Sequence, residues 1–157
     1  RLKASGYNAV RCAHNPPAPA FLEACDRLGM LVIDEAFDCW REPKNPGDYH
    51  VAFDDWWQRD LDSMVCRDRN HPSVILWSIG NEIPERGGRS GGLGTSRKLA
   101  ERVRALDPTR PVTAAFNYDW TAEDMRPDLK LETMMDFMTA FGKVPHLHWD
   151  RMECHNC

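Results

Sequence analysis

RDRNHPSVILWSIGNE, residues 67–82, decides how this chain is read. Arg67 to Asn70 is polar and ends just before Pro72, Val74 to Ile79 is almost unbroken apolar sequence, and the stretch closes on Asn81 and Glu82. A run of that kind, without polar alternation, fits a parallel strand covered on both faces better than a surface strand with one wet face. Asn81 and Glu82 then stand at the carboxyl end of the strand. In parallel α/β sheets ligands bind at that end, and in a (β/α)8 barrel the catalytic residues come from it. An Asn-Glu pair in isolation reads more readily as a cap on the next helix; the preceding strand turns the reading toward a site.

Working outward, NAVR (8–11) reads as a strand, PAPAFLEACDRLG (17–29) as a helix and MLVIDEAF (30–37) as a second strand. Phe21, Leu22, Cys25 and Leu28 share one helical face, prolines precede the first turn, and Gly29 suits the left-handed end of the helix. Trp40 to Val51, rich in Pro, Gly, Asn and Asp, reads as a long loop, after which Asp54 or Asp55 is expected to cap a helix carrying Trp57, Leu61, Met64 and Val65. Past the central strand, Pro84 to Gly94 holds five glycines and reads as a loop without the Lys-Ser/Thr ending of a phosphate cradle. A helix from about Ser96 to Leu106, with Leu99, Val103 and Leu106 on one face, leads to a last strand, PVTAAF (111–116).

Strands alternating with helices imply an α/β fold with a parallel sheet. A closed (β/α)8 TIM barrel takes about 250 residues, so a chain of 157 supplies only part of one. Residues 1–116 are thus expected to form a partial barrel domain, and 117–157, where the alternation fails, an unassigned tail of truncated or frame-shifted origin with a helix near Leu131 to Phe141. The chain opens on Arg1 without a signal peptide, so an amino-terminal portion is expected upstream and the compartment is not legible.

A net charge of -4 offers no basic field for nucleic acid or an anionic membrane surface. No apolar run reaches the roughly 20 residues a membrane-spanning helix needs. The six cysteines are scattered and read as reduced thiols. His146, His148, Cys154, His155 and Cys157 lack the second well-spaced pair of a zinc site, so no metal and no cofactor are expected.

Two segments resemble glycoside hydrolase family 2, the group of β-galactosidases, β-glucuronidases and β-mannosidases. NAVRCAHNP followed by FLEACDRLGMLVIDEA is similar to the family's early barrel signature, and DRNHPSVILWSIGNE to its acid/base signature; DEAFDCW and LDPTRPVT resemble the β-galactosidase branch. The resemblance covers about Leu2 to Ala115 and implies strands two to five of the barrel. It also implies a carbohydrate substrate, a β-galactoside, hydrolysed with retention; the oligomeric state is not legible. Asn15 departs from the family, in which many members carry Tyr at that place. No apolar strand ending in glutamate follows Phe116, so the nucleophile is not assigned, Glu132 and Glu153 having the wrong setting.

The resemblance implies that Glu82 is the acid/base. Such a carboxyl must be protonated near neutral pH to help the leaving oxygen, and burial beside a second carboxylate would raise its pKa in that direction. The matching Asn81 would hold the sugar's 2-hydroxyl. Arg11, at a strand end, needs a carboxylate; the resemblance makes that partner the nucleophile, so Arg11 is expected to lack its mate here. His14 reads equally as a donor to sugar and as loop packing, and Glu35 as part of the mouth or as a salt-bridge partner. Trp77 is expected in the core and His71 in the turn. The competing readings are a sister activity of the family, a noncatalytic carbohydrate-binding remnant, and a product without function, the isolated chain being expected not to hydrolyse.

Overall fold

The computed structural model of the protein describes residues 1–87 and 91–115. Four strands, β1 (Ala9–Arg11), β2 (Leu31–Glu35), β3 (Val74–Asn81) and β4 (Val112–Ala115), alternate with α1 (Pro19–Leu28), α2 (His50–Asp68) and α3 (Gly92–Leu106). The sheet is wholly parallel and its spatial order, β1-β2-β3-β4, is the order of the chain. A doubly wound sheet reverses its order at a switch point, whereas right-handed crossovers that always step the same way build a barrel wall. Among the described residues this wall is unclosed, with β1 and β4 as its edges.

Strand periodicity sorts the side chains onto two faces. On β2, Val32 and Asp34 face the helices and are fully buried, whereas Ile33 and Glu35 face the other way. In parallel register, Arg11 lies beside Ile33, Ile33 beside Leu76 and Glu35 beside Ser78, so these residues share the inner face. The core lies in the layer between sheet and helices: Leu22 and Cys25 of α1, Phe53, Trp57, Leu61, Met64 and Val65 of α2, Val74, Trp77 and Ile79 of β3, and Leu99, Ala100 and Val103 of α3. Full burial of one such large apolar side chain contributes roughly 1.5–3 kcal/mol. As expected from sequence, Trp77 belongs to this layer; it is fully buried, and its indole Nε1 donates to Asp107 Oδ2 at 2.9 Å.

Local physics moves several boundaries. The helix expected to start at Asp54 or Asp55 begins at His50, because Asp48 gathers the entry: its carboxylate accepts from the backbone N–H groups of Lys44, Asn45 and His50. Burial opposes that charge, but the backbone N–H groups of Asn45 and His50, the His50 ring and the Cys39 thiol outweigh it and hold Asp48 well below the usual carboxylate range. Asp54 instead pairs with Arg41 at 2.6 Å on the surface. The glycine-rich stretch is also less loop than its composition suggests: Pro84–Gly87 is a 3-10 turn, and α3 starts four residues early, at Gly92 rather than Ser96. Gly92 is buried against Glu85, where a Cβ would lie 2.3 Å from the carbonyl oxygen, so the close approach requires glycine. In α1, Leu28 is exposed and Met30, just past Gly29, fills the core instead.

One buried contact in the helix layer is acidic. Asp34 and Asp68, both fully buried, meet carboxyl to carboxyl, and Arg67 binds both oxygens of Asp68 at 2.6 Å. Two carboxylates offer only acceptors, so the contact becomes a hydrogen bond when one holds a proton. Burial first, then the contact with Asp68, pushes Asp34 up to about 8. The expected helix near Leu131 to Phe141, Glu132, Glu153 and the His/Cys tail lie outside the described residues.

Candidate active site

β1, β2 and β3 deliver Arg11, Glu35 and Asn81 to the same end of the sheet, the carboxyl end. Glu35 is fully buried and accepts four hydrogen bonds: from Arg11 Nε at 2.8 Å, Arg11 Nη2 at 3.0 Å, His14 Nδ1 at 2.7 Å and Ser78 Oγ at 2.6 Å. Arg11 therefore does not lack a mate. Strand register places Glu35 beside it, a pairing across the sheet that the linear sequence does not display. A guanidinium gripping both carboxylate oxygens is among the stronger ion pairs, and burial makes it costly to break.

Two neighbours face His14 Nδ1, the donor Arg11 Nη2 at 3.3 Å and the carboxylate of Glu35, and the closer Glu35 sets the histidine's tautomer. Arginine has no acceptor, and Glu35 at 2.7 Å requires a donor, so Nδ1 carries the proton and donates to Glu35. Nε2 is left for other partners on a ring that is about a third exposed (36%).

Asn81 links this group to a second one. Its Oδ1 accepts from Arg11 Nη2 at 2.7 Å, and its Nδ2 donates to Asp38 Oδ1 at 2.8 Å. Lys44 Nζ binds the same Asp38 oxygen at 2.7 Å and the backbone carbonyl of Asn81 at 2.6 Å. Burial opposes the Asp38 charge, but the Lys44 and Asn81 hydrogen bonds prevail and lower its pKa. Asp38, Lys44 and Ser78 were not singled out in the sequence. The signal was present for Lys44, which lies on the long loop from Trp40 to Val51 after a barrel strand, where loops carry function; Asp38 falls between the strand and that loop.

Glu82 follows directly, its backbone N–H donating to Ala115 of β4 at 2.7 Å. Its φ is +42°, a left-handed conformation that non-glycine residues adopt at a cost and that concentrates at functional sites. The side chain is exposed, so the burial expected around it is not supplied by the described residues. No group of three or more His, Cys, Asp or Glu side chains suited to a metal occurs among the described residues, and no described helix is long and apolar enough to cross a membrane.

Fold and site together define a wall of a (β/α)8 barrel that presents a bound amide, a carboxylate and two ion pairs at the end where such barrels place their chemistry. The chain belongs to the glycosyl hydrolases family 2: the family's TIM barrel domain matches residues 1–152. It is 43% identical over 146 residues to a beta-galactosidase of Bacteroides ovatus, covering 74% of this chain and 17% of that protein. A crystal structure of a family 2 member from Bacteroides cellulosilyticus is 50% identical with a TM-score of 0.76, over 88% of this chain and 16% of that one. A beta-D-glucuronidase from Dictyoglomus thermophilum is 31% identical with a TM-score of 0.62, over 74% of this chain and 21% of that one. The chain thus spans about a sixth of the length of its first relatives.

Proposed function

We propose that these residues form the acid/base half of the active site of a retaining glycosidase that hydrolyses β-galactosides. The observation that carries the reading is Asn81-Glu82 at the carboxyl end of β3, with the Asn81 amide oriented by Arg11. Glu82 gives a proton to the leaving oxygen and then takes one from water, and Asn81 holds the hydroxyl next to the reacting carbon. Glu35 is not the nucleophile: four donors occupy its oxygens, and attack on carbon would forfeit their bonds. Retention needs a second carboxylate roughly 5 to 5.5 Å from the first, supplied from outside the described residues, so the described part alone does not hydrolyse.

Similarity to the Bacteroides ovatus beta-galactosidase supports a galactoside, and a putative beta-glucuronidase of Formosa agariphila, 43% identical over 114 residues, supports a glucuronide as the second reading. The galactoside is preferred on charge: among the described residues, Arg11 and Lys44, which bind Asn81, are already neutralised by Glu35 and Asp38 and are poorly placed to take a sugar carboxylate. The test is Glu82→Gln in the complete reading frame that encodes these residues. Hydrolysis of lactose, whose leaving group needs a proton, is expected to fall roughly a hundred- to ten-thousandfold. Undiminished turnover of lactose would remove Glu82 from the role.

A further inference from the structure

Resting on that reading, we propose that Asp38 is a positioning residue that acts through Asn81: with Arg11, it locks the orientation of the Asn81 amide, so that one N–H remains to meet the sugar's 2-hydroxyl. An asparagine amide can turn end for end at almost no cost in shape, which exchanges its donor and acceptor. Here the ends are distinguished by charge. Arg11 Nη2 is a donor and demands Oδ1; Asp38 Oδ1 is an acceptor and demands Nδ2. The reversed amide would set donor against donor and acceptor against acceptor at both ends, forfeiting two charge-assisted hydrogen bonds in a side chain only 5% exposed. One Nδ2 hydrogen is used by Asp38, and the other has no partner among the described residues. A substrate hydroxyl facing it must accept.

Lys44 keeps Asp38 ionised, and so a pure acceptor, by sharing the same oxygen at 2.7 Å. It also holds the Asn81 carbonyl at 2.6 Å, joining the loop after β2 to the end of β3. The lowered pKa of Asp38 agrees with this arrangement. Glu35 takes no part in the Asn81 amide directly; it holds Arg11, so the amide is fixed from two independent ion pairs, Arg11 with Glu35 and Lys44 with Asp38.

The experiment compares Asp38→Ala and Asp38→Asn with the unsubstituted protein, all in the complete reading frame, on a nitrophenyl β-galactoside and on its 2-deoxy counterpart. Removing Asp38 is expected to lower kcat/KM on the 2-hydroxy substrate about tenfold or more, and on the 2-deoxy substrate no more than about twofold. Asp38→Asn, whose amide oxygen can still accept from Asn81, is expected to recover most of the loss, and it carries the comparison should the alanine variant fail to fold. An equal loss on both substrates, with no recovery in the asparagine variant, would overturn the proposal and make Asp38 either a direct sugar contact or a structural residue. No loss on either would overturn it as well. If the unsubstituted protein hydrolyses neither substrate nor any other β-glycoside, the glycosidase reading itself falls, a result distinct from both.

Discussion

Glu35→Gln tests the centre of the site with almost no change of shape. The carboxylate accepts through Oε2 from Arg11 Nε and Ser78, and through Oε1 from Arg11 Nη2 and His14. A glutamine must place its NH2 on one side or the other. Ser78 can rotate its hydroxyl to accept, and His14 can move its proton to Nε2, so either neighbour accommodates the amide; Arg11 cannot. Whichever way the glutamine settles, one Arg11 bond is lost and the guanidinium loses its counter-charge. Breaking a fully buried pair costs about 3–5 kcal/mol, but Arg11 is 34% exposed and water recovers part of its solvation, so the expected loss is about 2–4 kcal/mol. Urea unfolding at neutral pH measures it as a lower midpoint at unchanged slope. The double-mutant cycle with Arg11→Met isolates the cause: once the guanidinium is gone, Glu35→Gln should cost less than about 1 kcal/mol. A single-mutant loss below about 1 kcal/mol, or an equal loss in both backgrounds, would refute the ion-pair account.

Asp34→Asn should alter how stability depends on pH. The Asp34 carboxyl, raised to about 8, holds a proton in the folded state that the unfolded chain gives up near pH 4, so its stabilisation is complete below about pH 4 and is lost as pH rises through 8. An asparagine donates to Asp68 without needing a proton; its melting temperature should vary less than the wild type's from pH 5 to 9 and equal or exceed it above about pH 8, and parallel curves would contradict this. At the acid limit the lowered carboxylates Asp26, Asp38, Asp48 and Asp107 act in the opposite sense, contributing stability above about pH 4 that is lost as they protonate. Two neighbouring glycines of α3 should respond oppositely to alanine. Gly94, with open space around it, gains up to about 1 kcal/mol from the better helix former, whereas at Gly92 the new Cβ meets Glu85 and costs about 1–3 kcal/mol, which paired thermal melts would read directly.

What could be read without a structure was what depends on near neighbours in the chain. Strand and helix periods, the Gly29 stop and the apolar run before Asn81 placed β1 to β4 in order, and Trp77 within that run read as core. Boundaries were missed where a distant or backbone contact lies at them: Asp48 gathers three backbone donors at the start of α2, and Gly92, the first residue of α3, lies so close to Glu85 that no Cβ would fit. The same division holds for the site. Asn81 and Glu82 were legible because strand polarity is local and puts them at the carboxyl end. Arg11, expected without a partner, proved bound to Glu35; and Asp38, passed over in sequence, proved bound to an amide 43 positions away. These pairings depend on which strands lie side by side and in what register, and a one-residue slip would send every side chain to the other face. The local sequence sets the period of each strand, but only the assembled sheet decides which charges meet across it.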